Sequence, residues 1–213
     1  MAVFGGCALA QDETLEDGVY FRLAAGVSFA DDFEQDFNYN PDLAFVIAPP
    51  STRVIDTNKG LVAGAALGFD YADGIRTELE FRFANTDRSS IAFDGVASAA
   101  DDNLSARFLM ANFYFDFDNE TAFTPFIGGG VGGAVVGDGE GNKDAALAYQ
   151  GRAGVSLDIG GGSALSAEYV YLRTNELVYG PNTEDFTPAG PFEPNLTGRY
   201  ASSSIMLSVR KRF

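Results

Sequence analysis

Six arginines and six carboxylates carry most of the chemistry that this chain of 213 residues can offer. Within Ile75-Arg76-Thr77-Glu78-Leu79-Glu80-Phe81-Arg82-Phe83 the charges fall on alternate residues. A strand with that spacing sets Arg76, Glu78, Glu80 and Arg82 on one face and Ile75, Leu79, Phe81 and Phe83 on the other. The same parity places Arg22, Asp70, Asp116, Arg152, Asp158, Glu168, Arg210 and Arg212 opposite apolar neighbours in other segments. Such a set has three uses: acid–base catalysis, the lining of a channel, or ion-paired packing. Catalysis is the poorest fit. The chain has no histidine and one cysteine, Cys7, and no Gly-x-Ser-x-Gly elbow occurs. Buried charges must be paired, and equal numbers of each sign permit it.

Metal and cofactor chemistry find little support. Asp138-Gly139-Glu140-Gly141-Asn142-Lys143-Asp144 resembles the opening of a calcium loop, but Lys143 stands where the sharp turn needs glycine. Tyr149 stands where the bidentate glutamate belongs. A hairpin tip is expected there, with no metal and no cofactor. The formal charge of −16 argues against nucleic acid, because phosphate binding needs clustered Lys and Arg.

Eight alternating segments must position these residues. They are 18–30, 60–71, 75–83, one ending at 111–117, 123–134, 147–159, 165–173 and 203–213. The last runs Ser203 to Phe213, with Ile205, Leu207, Val209 and Phe213 against Ser204, Ser208, Arg210 and Arg212. Tight-turn signals near 73, 119 and 161 alternate with long stretches at 31–58, 85–103, 136–145 and 175–198. No run is long and apolar enough for a membrane helix, but barrel strands escape that criterion. One face is apolar and the other charged, so each needs a different solvent. A closed barrel in lipid supplies both and leaves no free edge. A soluble ligand-binding barrel inverts the faces, and an apolar ligand has no place among twelve charges. The expected fold is an all-β, eight-stranded antiparallel up-and-down transmembrane β-barrel with short periplasmic turns and long external loops. Its interior is only wide enough for side chains to fill, so a salt-bridged plug is expected rather than a pore. A narrow pore for small solutes is the alternative that single-channel conductance separates. A soluble barrel is the one that partition into the aqueous phase of a detergent extract separates.

Residues 1–10 end in Ala8-Leu9-Ala10, which fits a signal-peptidase site, and read as a truncated signal peptide. Residues 11–17 then form a periplasmic N-terminal segment and 18–213 the barrel. Cleavage would remove Cys7, the chain's one thiol.

With the strands laid out, residues 18–213 resemble the small outer-membrane barrels of the OmpA, OmpX and opacity-protein type. The resemblance is carried by Thr124-Pro125-Phe126-Ile127-Gly128-Gly129-Gly130-Val131-Gly132, by Asn112-Phe113-Tyr114-Phe115-Asp116-Phe117, and by terminal Phe213. It implies a Gram-negative outer membrane, and it implies that Phe213 serves as the signal read by the barrel-assembly machinery. The enzymes among such barrels resemble one another in using a histidine, which this chain lacks; no enzyme is expected. The expected function is structural and surface-presenting: a plugged barrel that displays loops for adhesion or partner binding and contributes to envelope integrity. The expected partners are outer-membrane lipid and lipopolysaccharide, the assembly machinery, and a host or surface ligand held by the loops; a monomer is expected. Arg107 and Arg173, on the apolar face near strand ends, are candidates for lipopolysaccharide phosphates. Leu43, Phe45, Val46, Ile47, Phe186 and Phe192 interrupt otherwise acidic loops and mark a candidate binding surface.

Overall fold

The computed structural model describes residues 17–38, 51–71, 73–99, 103–117, 119, 121–137, 143–180 and 195–213. Its strands are β1 (Gly18–Ala30), β2 (Phe33–Asn38), β3 (Thr52–Tyr71), β4 (Ile75–Phe93), β5 (Val96–Ala99) and β6 (Asn103–Asp116). They continue as β7 (Phe123–Gly137), β8 (Lys143–Gly160), β9 (Ser163–Thr174), β10 (Leu177–Tyr179), β11 (Asn195–Gly198) and β12 (Ala201–Arg212). Eight of them close a ring of antiparallel neighbours: β1, β3, β4, β6, β7, β8, β9 and β12. The seam joins the two ends of the chain, with Arg22 opposite Arg210 and Gly26 opposite Met206.

Side-chain exposure follows the period of two and inverts the usual rule. Leu61 is 73% exposed and Leu207 68%, whereas Glu80 and Arg152 are buried. An apolar belt of this size on every strand has hydrocarbon as its only adequate solvent.

The glycines of β7 serve two purposes. Gly128, Gly130 and Gly132 point inward and leave room for Tyr114, Asn112 and Met110 of β6, whose atoms a Cβ at those positions would meet. Gly133 points outward, where a Cβ would meet nothing within 4 Å.

The loop end departs from the sequence reading. β3 begins at Thr52 rather than 60, and β4 runs to Phe93 rather than 83, so strands of 20 and 19 residues overrun the 9–11 that a bilayer needs. Above the membrane neither face meets hydrocarbon, so no alternation is required of the sequence. Register shifts at Asp56, Thr57 and Gly60 break it further. Four short strands build on these overruns, giving the edge-to-edge order β10-β11-β2-β3 on one side and β4-β5 on the other. Asp94 and Gly95 join β4 to β5, both with positive φ (47° and 85°), as a two-residue type I′ hairpin requires. The Asp94 carboxylate accepts from Ser51 N (2.9 Å), Ser51 Oγ (2.9 Å) and Thr52 N (3.0 Å), tying the start of β3 to this hairpin. Those donors hold its carboxyl below the usual range.

Candidate functional site

The interior has two tiers. Toward the tight turns it is charged. β4 supplies Arg76, Glu78, Glu80 and Arg82 from one inward face; β1 contributes Arg22, β8 Arg152 and β9 Glu168. Arg22 holds Glu78 with two nitrogens (Nε to Oε1 2.9 Å, Nη2 to Oε2 2.8 Å) and reaches Glu168 (3.0 Å) and Glu80 (3.2 Å). Arg152 donates to Glu80 (2.7 Å) and doubly to Glu168 (2.8 and 3.1 Å). Tyr20 and Tyr114 hydroxyls each donate to Glu78 at 2.9 Å. Asn112 and Gln150 complete Glu80 at 3.1 and 3.2 Å. Arg82 donates to Gln150 Oε1 and stacks 5.4 Å over the Phe108 ring. Each of the three glutamates thus accepts from at least two different side chains, the arrangement that makes buried charge tolerable. No cluster of metal-ligating side chains occurs among the described residues.

Nearer the tight turns, Arg76 grips Asp116 with two short bonds (2.6 and 2.7 Å), and Arg210 reaches Asp70 at 3.3 Å. Of the twelve expected lumenal charges, Asp158 stands apart. The chain shifts register between Asp158 and Gly160, which leaves Asp158 exposed, its Oδ1 accepting from Gly160 N at 2.6 Å. Arg212 also sits at the mouth, half-buried, outside the central cluster.

Toward the loops the interior turns apolar, which the reading of a charged lumen missed. Val62, Ala84, Ala106, Phe108, Val136 and Leu172 are buried there, packed with Leu177, Tyr179 and Tyr200 from the connection between β9 and β12. Tyr179 OH donates to Val136 O at 3.2 Å, and Val178 N to Asp144 Oδ2 at 2.6 Å. Asp144 thereby anchors the backbone of β10. Arg53 and Gln35, opposite one another on β3 and β2, are buried polar residues that the sequence reading placed in a loop. The register shift puts Arg53 out of phase with the strand below it, and Gln35 lies on a strand of only six residues.

The remaining candidates lie outside the lumen. Arg107 and Arg173 are exposed on the outer face. Arg107 lines an outward groove of about 640 Å³ with Leu109, Gly133, Val135 and Leu147. Phe213 is 83% exposed, and its amide donates to Val19 O at 3.0 Å. Leu43, Phe45, Val46, Ile47, Phe186 and Phe192 lie outside the described residues, as do Cys7 and residues 138–142.

Comparison with known proteins agrees with this geometry. Residues 76–174 match the model of a surface antigen family. The outer membrane protein PagN of Salmonella typhimurium strain LT2 is 32% identical over 132 residues, covering 57% of this chain and 54% of PagN. The chain thus matches about half the length of that relative. Neisserial surface protein A has the same fold at 14% identity, with a TM-score of 0.58 over 92% of this chain and 97% of its own. OprG of Pseudomonas aeruginosa does so at 11% identity, with a TM-score of 0.63 over 91% and 95%. With its closed eight-stranded ring, its apolar exterior and these likenesses, the chain is an outer-membrane β-barrel with the fold of the small barrels of Gram-negative bacteria.

Proposed function

We propose that this protein is a closed structural barrel that braces the outer membrane and presents a folded surface outside it for adhesion or partner binding. The observation that carries the reading is the wall of short strands above the bilayer. β3 and β4 overrun the membrane by several residues and bear β2, β5, β10 and β11, an investment that spanning alone does not require. Phe93 and Val96 are exposed on that wall, and the family match describes surface antigens. The charged tier supports closure, because side chains from β1, β4, β6, β8 and β9 interlock across the lumen. Phe213 is proposed as the assembly signal, and Arg107 and Arg173 as contacts for lipopolysaccharide phosphates. The apolar groove beside Arg107 is of a kind to seat an acyl chain below such a phosphate. The barrel acts as a monomer.

Adhesion is tested on cells displaying the protein. Deleting 43–48, or exchanging Leu43, Phe45 and Ile47 together for serine, is expected to abolish attachment while the boiling-dependent shift in electrophoretic mobility survives. Full attachment by either variant, with the shift intact, would overturn the adhesive reading.

A further inference from the structure

Below the ion-paired tier, at the tight-turn end, the lumen opens into a cavity of about 120 Å³. Two cross-strand rows meet it on one side: Arg210, Ala164 and Asp158 line it, and so do Ser156 and Thr124 of the row behind them. In the outer row Arg210 of β12 pairs with Ala164 of β9, which pairs in turn with Asp158 of β8. A guanidinium and a carboxylate thus face the same space from strands about 10 Å apart, with only a methyl group between them. In the next row inward, Ser208, Ser166, Ser156 and Thr124 stand side by side on β12, β9, β8 and β7. Ser156 and Ser166 share a hydrogen bond of 2.9 Å, while the buried Ser208 hydroxyl has no partner.

Both charges have capacity left. Asp158 uses one oxygen on Gly160 N, and the other has no partner among the described residues. Arg210 makes one polar contact, 3.3 Å to Asp70, from a fork of five donors. Asp116, by contrast, has both oxygens engaged by Arg76.

We propose that this vestibule binds a small zwitterion, its carboxylate on Arg210, its ammonium on Asp158 and its remaining polar atoms on Ser156 and Thr124. A lone anion would meet Asp158 and Asp70, and a lone cation would meet Arg210 and Arg212. A solute bearing both signs satisfies both walls. Size agrees: a water occupies about 30 Å³ of liquid, so the cavity takes roughly four waters or a solute of comparable bulk, which a short amino acid matches. The Arg22–Glu78–Glu80–Glu168 cluster closes the inner end, so the ligand enters and leaves by the same mouth.

The test is a titration of the folded protein in lipid nanodiscs, reading the amide NMR shifts of Gly162, Ser163 and Ala164 as glycine, acetate or methylammonium is added. Glycine is expected to give saturable shifts, and acetate and methylammonium none. Asp158→Asn keeps an acceptor for Gly160 N but removes the charge, and is expected to weaken glycine binding about tenfold. Shifts that stay linear in glycine would overturn the proposal. Equal saturation by acetate alone would replace it with a plain anion site, and unchanged binding in Asp158→Asn would remove the carboxylate from it.

Discussion

Exchanging Glu80 for alanine is expected to cost the folded barrel about 3–5 kcal/mol, the cost of removing one partner of a buried ion pair. Glu80 is fully buried and accepts from Arg152, Arg22, Asn112 and Gln150. Removing it leaves Arg152 with Glu168 alone and deprives Arg22 of one of three carboxylates. The amides of Asn112 and Gln150 lose an acceptor at the same moment. Glu80→Gln restores an acceptor oxygen but not the charge, so it should fall between the two. Urea unfolding of the three proteins in the same lipid, followed by the fraction resisting electrophoretic unfolding without boiling, measures the order. A loss below about 1 kcal/mol for Glu80→Ala would be the scale of an exposed pair and would contradict a closed tier.

Gly26→Val is expected to prevent the barrel from closing at all. Gly26 faces inward on β1, opposite Met206 across the seam and opposite Val62 on its other side. A Cβ there would collide with the carbonyl oxygen of Ile205 and come within 2.7 Å of Met206 Cα. Both are backbone atoms of β12, so no side-chain rotation relieves the contact. The strands would have to part along the seam that makes the sheet a ring. Without that ring, unpaired edges lie in hydrocarbon, which costs several kcal/mol for each unsatisfied group. Gly133→Val is the matched control: the same change on the outer face meets nothing and is expected to fold as the wild type does. A boiling-dependent mobility shift for Gly26→Val equal to that of the control would show that β1 and β12 tolerate separation.

The part of the fold lying in the bilayer was legible because lipid enforces alternation. Ile75 to Phe83 fixed the inward charges of β4, and the final strand showed the same parity in Ile205, Leu207 and Val209. That legibility ended where the bilayer ends. Thr52 to Thr57 are strand residues, yet nothing in their order reveals it, because the register shift at Thr57 moves them out of phase with the strand below. Arg53 goes with them. The Asp94-Gly95 turn carries as clear a hairpin signal as Asp73-Gly74, but it lies within 85–103, where the flanking residues do not alternate. The apolar upper tier was legible in principle, since Ala84 continues the inward parity of Arg82, and Phe108 that of Met110. Asp158 shows the converse limit: its parity places it beside Arg210 at the mouth, but the shift before Gly160 leaves the carboxylate exposed and bound to a backbone amide, outside the ion-paired tier.

The most direct measurement is single-channel conductance of the purified protein in planar bilayers. A lumen crossed by Arg22, Arg152 and their three glutamates, beneath the buried Leu177 and Tyr179, is expected to give a flat current at every holding potential. Exchanging Glu80 and Glu168 together for alanine is expected to introduce steps. Discrete openings in the wild type, unchanged by that double exchange, would mean that ions pass elsewhere in the lumen, and the closed barrel would give way to a narrow pore.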